Sequence, residues 1–80
     1  PETEHVLAIC KWARAFNWRS FVIPLRNLFS HSNARVREEA VRSVGVLAGP
    51  SMLPAVHLLR SDKDSKVRAA ASKAILNMKG

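Results

Sequence analysis

Cysteine is nearly absent from this 80-residue chain: Cys10 stands alone, so no internal disulfide can staple the fold. That thiol sits in the apolar run HVLAIC and reads as a small buried hydrophobe. A lone cysteine fits a reducing compartment, so an intracellular and cytoplasmic location is expected. Three glycines and four prolines are scattered along the chain, which excludes a flexible linker or a low-complexity segment. No apolar run reaches the roughly 18 residues needed to cross a bilayer, and nothing has the pattern of a signal peptide. The chain begins at Pro1, not at a methionine, so it is expected to be a piece of a longer protein, with any targeting signal outside it. Acidic residues are scarce as well: 6 against 13 Lys and Arg, for a formal net charge of +7 and a pI of about 10.9. This balance admits acidic proteins, nucleic acid or an anionic membrane surface as partners without choosing among them.

What is present is enough for a small core. Apolar residues make up 48% of the chain, well above the disordered class. A chain this short buries only about 60% of its unfolded surface, so that core is thin. The clearest pattern is a repeated one. NARVREEAVRSVGVLAG at 33–49 returns 31 residues later as DSKVRAAASKAILNMKG at 64–80. Val36, Ala40, Val44 and Leu47 fall on one helical stripe, and Val67, Ala71, Ile75 and Met78 repeat its spacing. Both segments open on a capping residue, Asn33 or Asp64. Both close on a glycine, Gly49 or Gly80, suited to a left-handed C-terminal position.

An apolar segment precedes each copy. SFVIPLRNLF and SMLPAVHLLR align at an offset of 30, with Pro24 over Pro54, Leu28 over Leu58 and Phe29 over Leu59. The prolines are tolerable if each helix starts just upstream, the earlier capped by Ser20 and the later beginning at Pro50 or Ser51, because the first backbone donors of a helix are unpaired anyway. Earlier still, Val6, Ile9, Cys10, Ala13 and Phe16 form another stripe, with NWRS as the turn after it. The expected helices are 4–16, 20–30, 34–48, 51–61 and 65–79, in a single domain with no strand alternation. Val36, Val44, Leu47, Val67, Ile75, Leu28, Leu58 and Leu59 are the expected core.

Helix pairs repeating at this interval indicate an α-solenoid, because one pair cannot bury its own apolar face and stacked pairs can. LPAVHLLRSDKDSKVRAAASKAILNMKG resembles a HEAT repeat of the short, PBS-lyase-like kind. The resemblance rests on Pro54, Leu58, Leu59, Asp64, Val67, Arg68 and Ala71. IPLRNLFSHSNARVREEAVRSVGVLAG is similar through Pro24, Leu28, Val36, Arg37, Ala40 and Gly45, and departs by having Asn33 where the family favours Asp. The resemblance covers residues 20 to 80. It implies a right-handed stack of about two and a half antiparallel hairpins, the first helix being the second half of a degenerate preceding repeat. It also implies an inter-repeat ladder of the turn residue with the helix arginine, here Asn33 with Arg37 and Asp64 with Arg68.

With Val36 facing inward, Arg35 and Arg42 share the opposite face, and Lys66 and Lys73 match them one repeat on. Stacking sets these cations about 10 Å apart between helices, on the concave side that solenoids usually use for binding. The alternative is an ordinary solvated face, and Glu38 and Glu39 interrupt the patch. Leu76, on the outward side of the last helix, and Leu7 and Ala15, off the first stripe, would add an exposed apolar patch beside the charges. Trp12 borders the first stripe and is expected in the core. Trp18, beside Arg19, either caps the first helix or stands exposed as an interface anchor.

His5, His31 and His57 lack partners at metal-ligand spacing. No Gly-rich phosphate loop or serine nucleophile motif occurs, and Glu38 and Glu39 are not paired across a cleft. No catalytic, metal or cofactor site is therefore expected. The reading is a non-catalytic protein-interaction scaffold that presents its basic concave face to an acidic protein or peptide. The alternative is a nucleic-acid-binding repeat that contacts phosphates without reading bases. A third reading is an inert segment of a longer solenoid.

Overall fold

The computed structural model describes residues 2–79, and their regular structure is entirely helical. Five α-helices follow in order: α1 (Glu2–Ala15), α2 (Val22–Asn27), α3 (Ala34–Leu47), α4 (Leu53–Leu58) and α5 (Ser65–Lys79). The two short helices are extended by 3₁₀ turns, Arg19–Phe21 and Leu28–Ser30 around α2, Pro50–Met52 and Leu59–Ser61 around α4. Proline explains the division. An α-helical register through Pro24 would need an N–H reaching the carbonyl of Ser20, and Pro54 would need the same at Pro50. The chain tightens instead, with Phe21 N–H donating to Trp18 O at 3.0 Å and Met52 N–H to Gly49 O at 3.1 Å. The expected Ser20 cap does not form. Trp18 holds the N-cap position of that turn, with no side-chain cap bond.

The long helices start as their sequences require. Asn33 Oδ1 accepts from the N–H groups of Arg35 (2.8 Å) and Val36 (3.3 Å), and Asp64 Oδ1 accepts from Lys66 (2.8 Å) and Val67 (3.1 Å). Their ends differ from expectation. Gly49 is extended (φ −88°, ψ −173°), not left-handed. The Schellman form of a left-handed glycine cap would use the N–H of the residue after it, and Pro50 has none. The left-handed turn occurs after α1, at Asn17 (φ 58°), where Trp18 N–H donates to Ala13 O at 2.8 Å. Asparagine tolerates this backbone region. Gly80 lies outside the described residues.

α1, α3 and α5 form one layer with α3 in the middle, while α2 packs on α3 and α4 on α5 to make a second layer. The core between them comprises Cys10, Leu25, Ala40, Val41, Val44, Val56, Val67, Ala71 and Ile75, with Leu47 and Leu59 at its margin. Val36 is also fully buried. Each buried Val, Leu or Ile contributes about 1.5–3 kcal/mol. Where α3 and α5 cross, the backbone of Gly45 lies against Ala74 so closely that a Cβ on Gly45 would come within 2.6 Å of the Ala74 Cβ.

Several expected core residues are not in the core. Leu58 is 77% exposed, because the shortened α4 directs Val56 and Leu59, three apart, inward. Leu28 is only half-buried. Trp12 is 54% exposed, and Phe16 and Ile9 are exposed too. On α1 the fully buried positions are the small residues Cys10 and Ala13, with Val6 partly buried against the same core, while Ile9 and Trp12 are exposed.

Candidate partner-binding face

The caps at Asn33 and Asp64 set the rotational phase of α3 and α5. With Val36 and Val67 inward, Arg42, Lys66 and Lys73 come together around one groove of about 270 Å³ that Glu38, Ala69 and Ala70 also line. A smaller hollow of about 180 Å³ continues it, bounded by Arg14, Arg42, Lys73, Val46, Ala74 and Asn77. The fourth expected cation, Arg35, is elsewhere. It lines a groove of about 710 Å³ along α1, shared with Lys11, Arg14, Trp12 and Leu7. Trp18 and Arg19 are not part of either groove. Trp18 stacks on Phe16 (ring centroids 5.7 Å) and meets Phe21 at a tilt of 45° (5.2 Å) at the α1–α2 turn, while Arg19 is exposed in the 3₁₀ turn beside it. Leu76 is 72% exposed.

Glu39 does not interrupt the patch as its sequence position suggested. It is buried in the α1–α3 interface, with Oε1 2.8 Å from Arg14 Nη1 and Oε2 accepting from Arg42 Nη1 at 3.2 Å. No N–H is aligned on Oε1, so the Arg14 contact there is purely ionic. Arg14 Nη1 also donates to Ser43 Oγ (3.2 Å), which donates to the Cys10 carbonyl (2.6 Å). One carboxylate thus orients two guanidinium groups and leaves the trio positive. Burial, with a smaller contribution from the Glu39 charge, pushes the Cys10 thiol up to about 11, so it stays a thiol at neutral pH.

The link between hairpins also differs from the expected pairs. Asn33 and Asp64 are committed to capping, and the acid that reaches across is Asp62. Arg37 Nε donates to Asp62 Oδ2 at 2.9 Å and Nη2 to Oδ1 at 3.1 Å, a bidentate fork between two nearly buried side chains. Arg37 Nη1 also holds the carbonyls of His31 (2.7 Å) and Ser32 (3.2 Å). The next repeat copies half of this, with Arg68 Nη1 donating to Asp62 O at 2.7 Å. Hydrogen bonding from Arg37 keeps the Asp62 carboxyl below the usual value of 3.8. The sequence signal was available: SDKDS carries two acids, and only one can cap.

No three of His, Cys, Asp and Glu lie close enough to hold a metal among the described residues, and no helix among them is long and apolar enough to cross a membrane. A family model for HEAT repeats matches residues 2–79 of the chain. No curated protein and no solved structure matches it significantly.

Proposed function

The chain belongs to the HEAT-repeat family, and on that premise we propose that its α1–α3–α5 face is a non-catalytic docking surface for an acidic segment of another protein. HEAT repeats generally mediate protein–protein interaction, typically as non-catalytic scaffolds. The observation that carries the reading to this face is the convergence of Arg42, Lys66 and Lys73, three cations against the one carboxylate of Glu38, on a groove also lined by Ala69 and Ala70. The small side chains of Ala69 and Ala70 leave room for a partner backbone, and the cations beside them supply attraction and orientation. Lys66 and Lys73 have no carboxylate within ion-pair distance among the described residues, so their charge is available to a partner.

The test is fluorescence anisotropy with a labelled Glu-rich peptide and, in parallel, a labelled DNA duplex, each at about 50 and 200 mM salt. Salt-sensitive peptide binding that drops at least tenfold in the double variant Arg42→Glu, Lys73→Glu is the expected result. Duplex binding tighter than peptide binding, and equally lost in that variant, would favour the phosphate-contacting alternative. Binding of neither probe would refute a charged docking face.

A further inference from the structure

A second, larger groove is outside the α3–α5 site. It runs along α1, has a volume of about 710 Å³, and is walled by Trp12 over an apolar strip that includes Leu7, Ala8 and Ala15. Lys11, Arg14 and Arg35 rim it against one carboxylate, Glu4. Lys11 and Arg35 make no ion pair among the described residues. A half-exposed indole beside unpaired cations is the composition of an interface anchor, since Trp and Arg dominate binding hot spots. The volume falls within the range of roughly 300–1,000 Å³ typical of ligand sites.

Position adds a second argument. Arg14 borders both this groove and the hollow between α3 and α5, and Arg42 continues from that hollow into the Lys66–Lys73 groove. Glu39 fixes Arg14 and Arg42 against one another. The three depressions therefore adjoin one another across the layer, each bordered by cations, and the Trp12 end alone adds an indole and a leucine. Neighbouring helices are about 8–10 Å apart, and an extended chain advances about 3.3 Å per residue. A ligand that seats a side chain beside Trp12 reaches the α3–α5 groove about three residues later.

We propose that the α1 groove is an anchor pocket for a bulky apolar side chain of an acidic peptide, whose carboxylates begin about three residues from the anchor and run onto Arg42, Lys73 and Lys66. This deepens, and rests on, the acidic-partner reading of the basic face. Charge complementarity selects the occupant. A second copy of a chain with net charge +7 would bring like charges onto Lys11 and Arg35.

The experiment uses two ten-residue peptides of the form anchor-Gly-Gly-Glu-Glu-Glu-Glu with neutral flanks, the anchor being Phe in one and Ala in the other. Wild-type protein is expected to bind the Phe peptide about tenfold more tightly, equivalent to one well-packed anchor. Trp12→Ala should bring the two peptides within about twofold of each other while keeping salt-sensitive binding of both. Arg42→Glu with Lys73→Glu should weaken both by the same factor. In a Trp18→Phe background, where Trp12 is the sole indole, its emission should shift to the blue with the Phe peptide and not with the Ala peptide. Equal affinities in wild type would overturn the anchor pocket and leave the acidic-face reading standing. Absence of binding by either peptide would overturn both. Sedimentation showing a dimer of the wild type that Trp12→Ala dissociates would assign the groove to self-association and overturn the proposal. Circular dichroism of each variant confirms that the helices persist.

Discussion

Gly45→Ala exchanges the poorest ordinary helix former for the best, and in an isolated helix it would stabilise by about 1 kcal/mol. Here the opposite is expected. The new methyl would lie 2.6 Å from the Ala74 Cβ and 2.9 Å from its Cα. Carbon atoms rest at about 3.5–4.0 Å, so α3 and α5 must separate by around 1 Å at their crossing. A backbone atom cannot rotate away as a long side chain can. The strain falls on the interface that buries Val44, Ala71 and Ile75, the most extensive helix pair in the molecule. Overpacking of a tight core costs about 1–3 kcal/mol, and the upper end applies because the obstacle is main chain. Less the propensity gain, the net loss is about 1–2 kcal/mol. For a domain of this size each kcal/mol moves the melting temperature by about 4–8 °C, so thermal unfolding followed at 222 nm should shift down by roughly 5–15 °C. Adding Ala74→Gly removes the methyl-on-methyl clash, but it leaves the clash with the α5 backbone and costs α5 about 1 kcal/mol of helix propensity, so it should restore little of the loss. Gly49→Ala is the control: nothing lies within 4 Å of its would-be Cβ and its φ of −88° suits any residue. A Gly45→Ala variant as stable as wild type, or more so, would refute the close-crossing argument.

Val67→Ala, at a fully buried position, should cost about 1–3 kcal/mol in a denaturant melt, whereas Leu58→Ser at the exposed end of α4 should change stability by less than about 0.5 kcal/mol. Asp62→Asn removes the charge of the Arg37 fork and should cost about 1–3 kcal/mol at neutral pH, with Arg37 keeping its two carbonyl acceptors. Because the folded Asp62 carboxyl lies below its ordinary value of 3.8, its stabilisation is complete above that value and is lost as pH falls through the lower folded one. The melting temperatures of wild type and Asp62→Asn should therefore converge as the pH falls below about 3.8. Cys10, buried and held as a thiol, should react with a thiol reagent at pH 8 only at the rate of opening or unfolding. Rapid stoichiometric labelling of native protein would contradict its burial.

How much of this was legible in the sequence depended on having two copies. The phase of α3 and α5 can be checked one against the other, and both the caps and the inward Val36 and Val67 follow from that comparison. α1 has no copy to be phased against. Hydrophobicity alone places Trp12 inward, while the packing surface is set by Cys10 and Ala13, small enough to let α3 approach. Leu58 goes astray for a different reason. Leu58 and Leu59 are adjacent, about 100° apart on a helix, so only one of them can share the buried face of Val56, and Leu59, three residues on, is the one that does. Assigning the ladder to Asp64 makes one loop acid serve two roles. Its oxygen is already used by two N–H groups, which leaves Asp62 to cross to Arg37. The burial of Glu39 has no local signal, because it depends on Arg14 arriving from a helix 25 residues away.

The same repeat offset provides a test of which groove takes the acid. Thirty-one residues after Glu39 the chain has Ala70. Glu39 meets Arg42 three residues on at 3.2 Å. Lys73 stands three residues after Ala70, with no carboxylate to hold it among the described residues. Ala70 is half-buried and borders both depressions that contain Arg42 and Lys73. Ala70→Glu would write into α5 the acid that α3 already has, placing a tethered carboxylate where a partner's would bind. An i,i+3 pair adds only about 0.2–0.5 kcal/mol to helix stability, so the fold should hold. As an intramolecular competitor it should reduce acidic-peptide affinity about three- to tenfold at 50 mM salt, and less at 200 mM, where screening weakens both contacts. Ala70→Gln has nearly the same bulk without the charge and should lose at most about twofold. Equal losses in the two variants would mean that bulk, not charge, governs the groove, and Arg42, Lys66 and Lys73 would then be solvated residues around a site selected by shape.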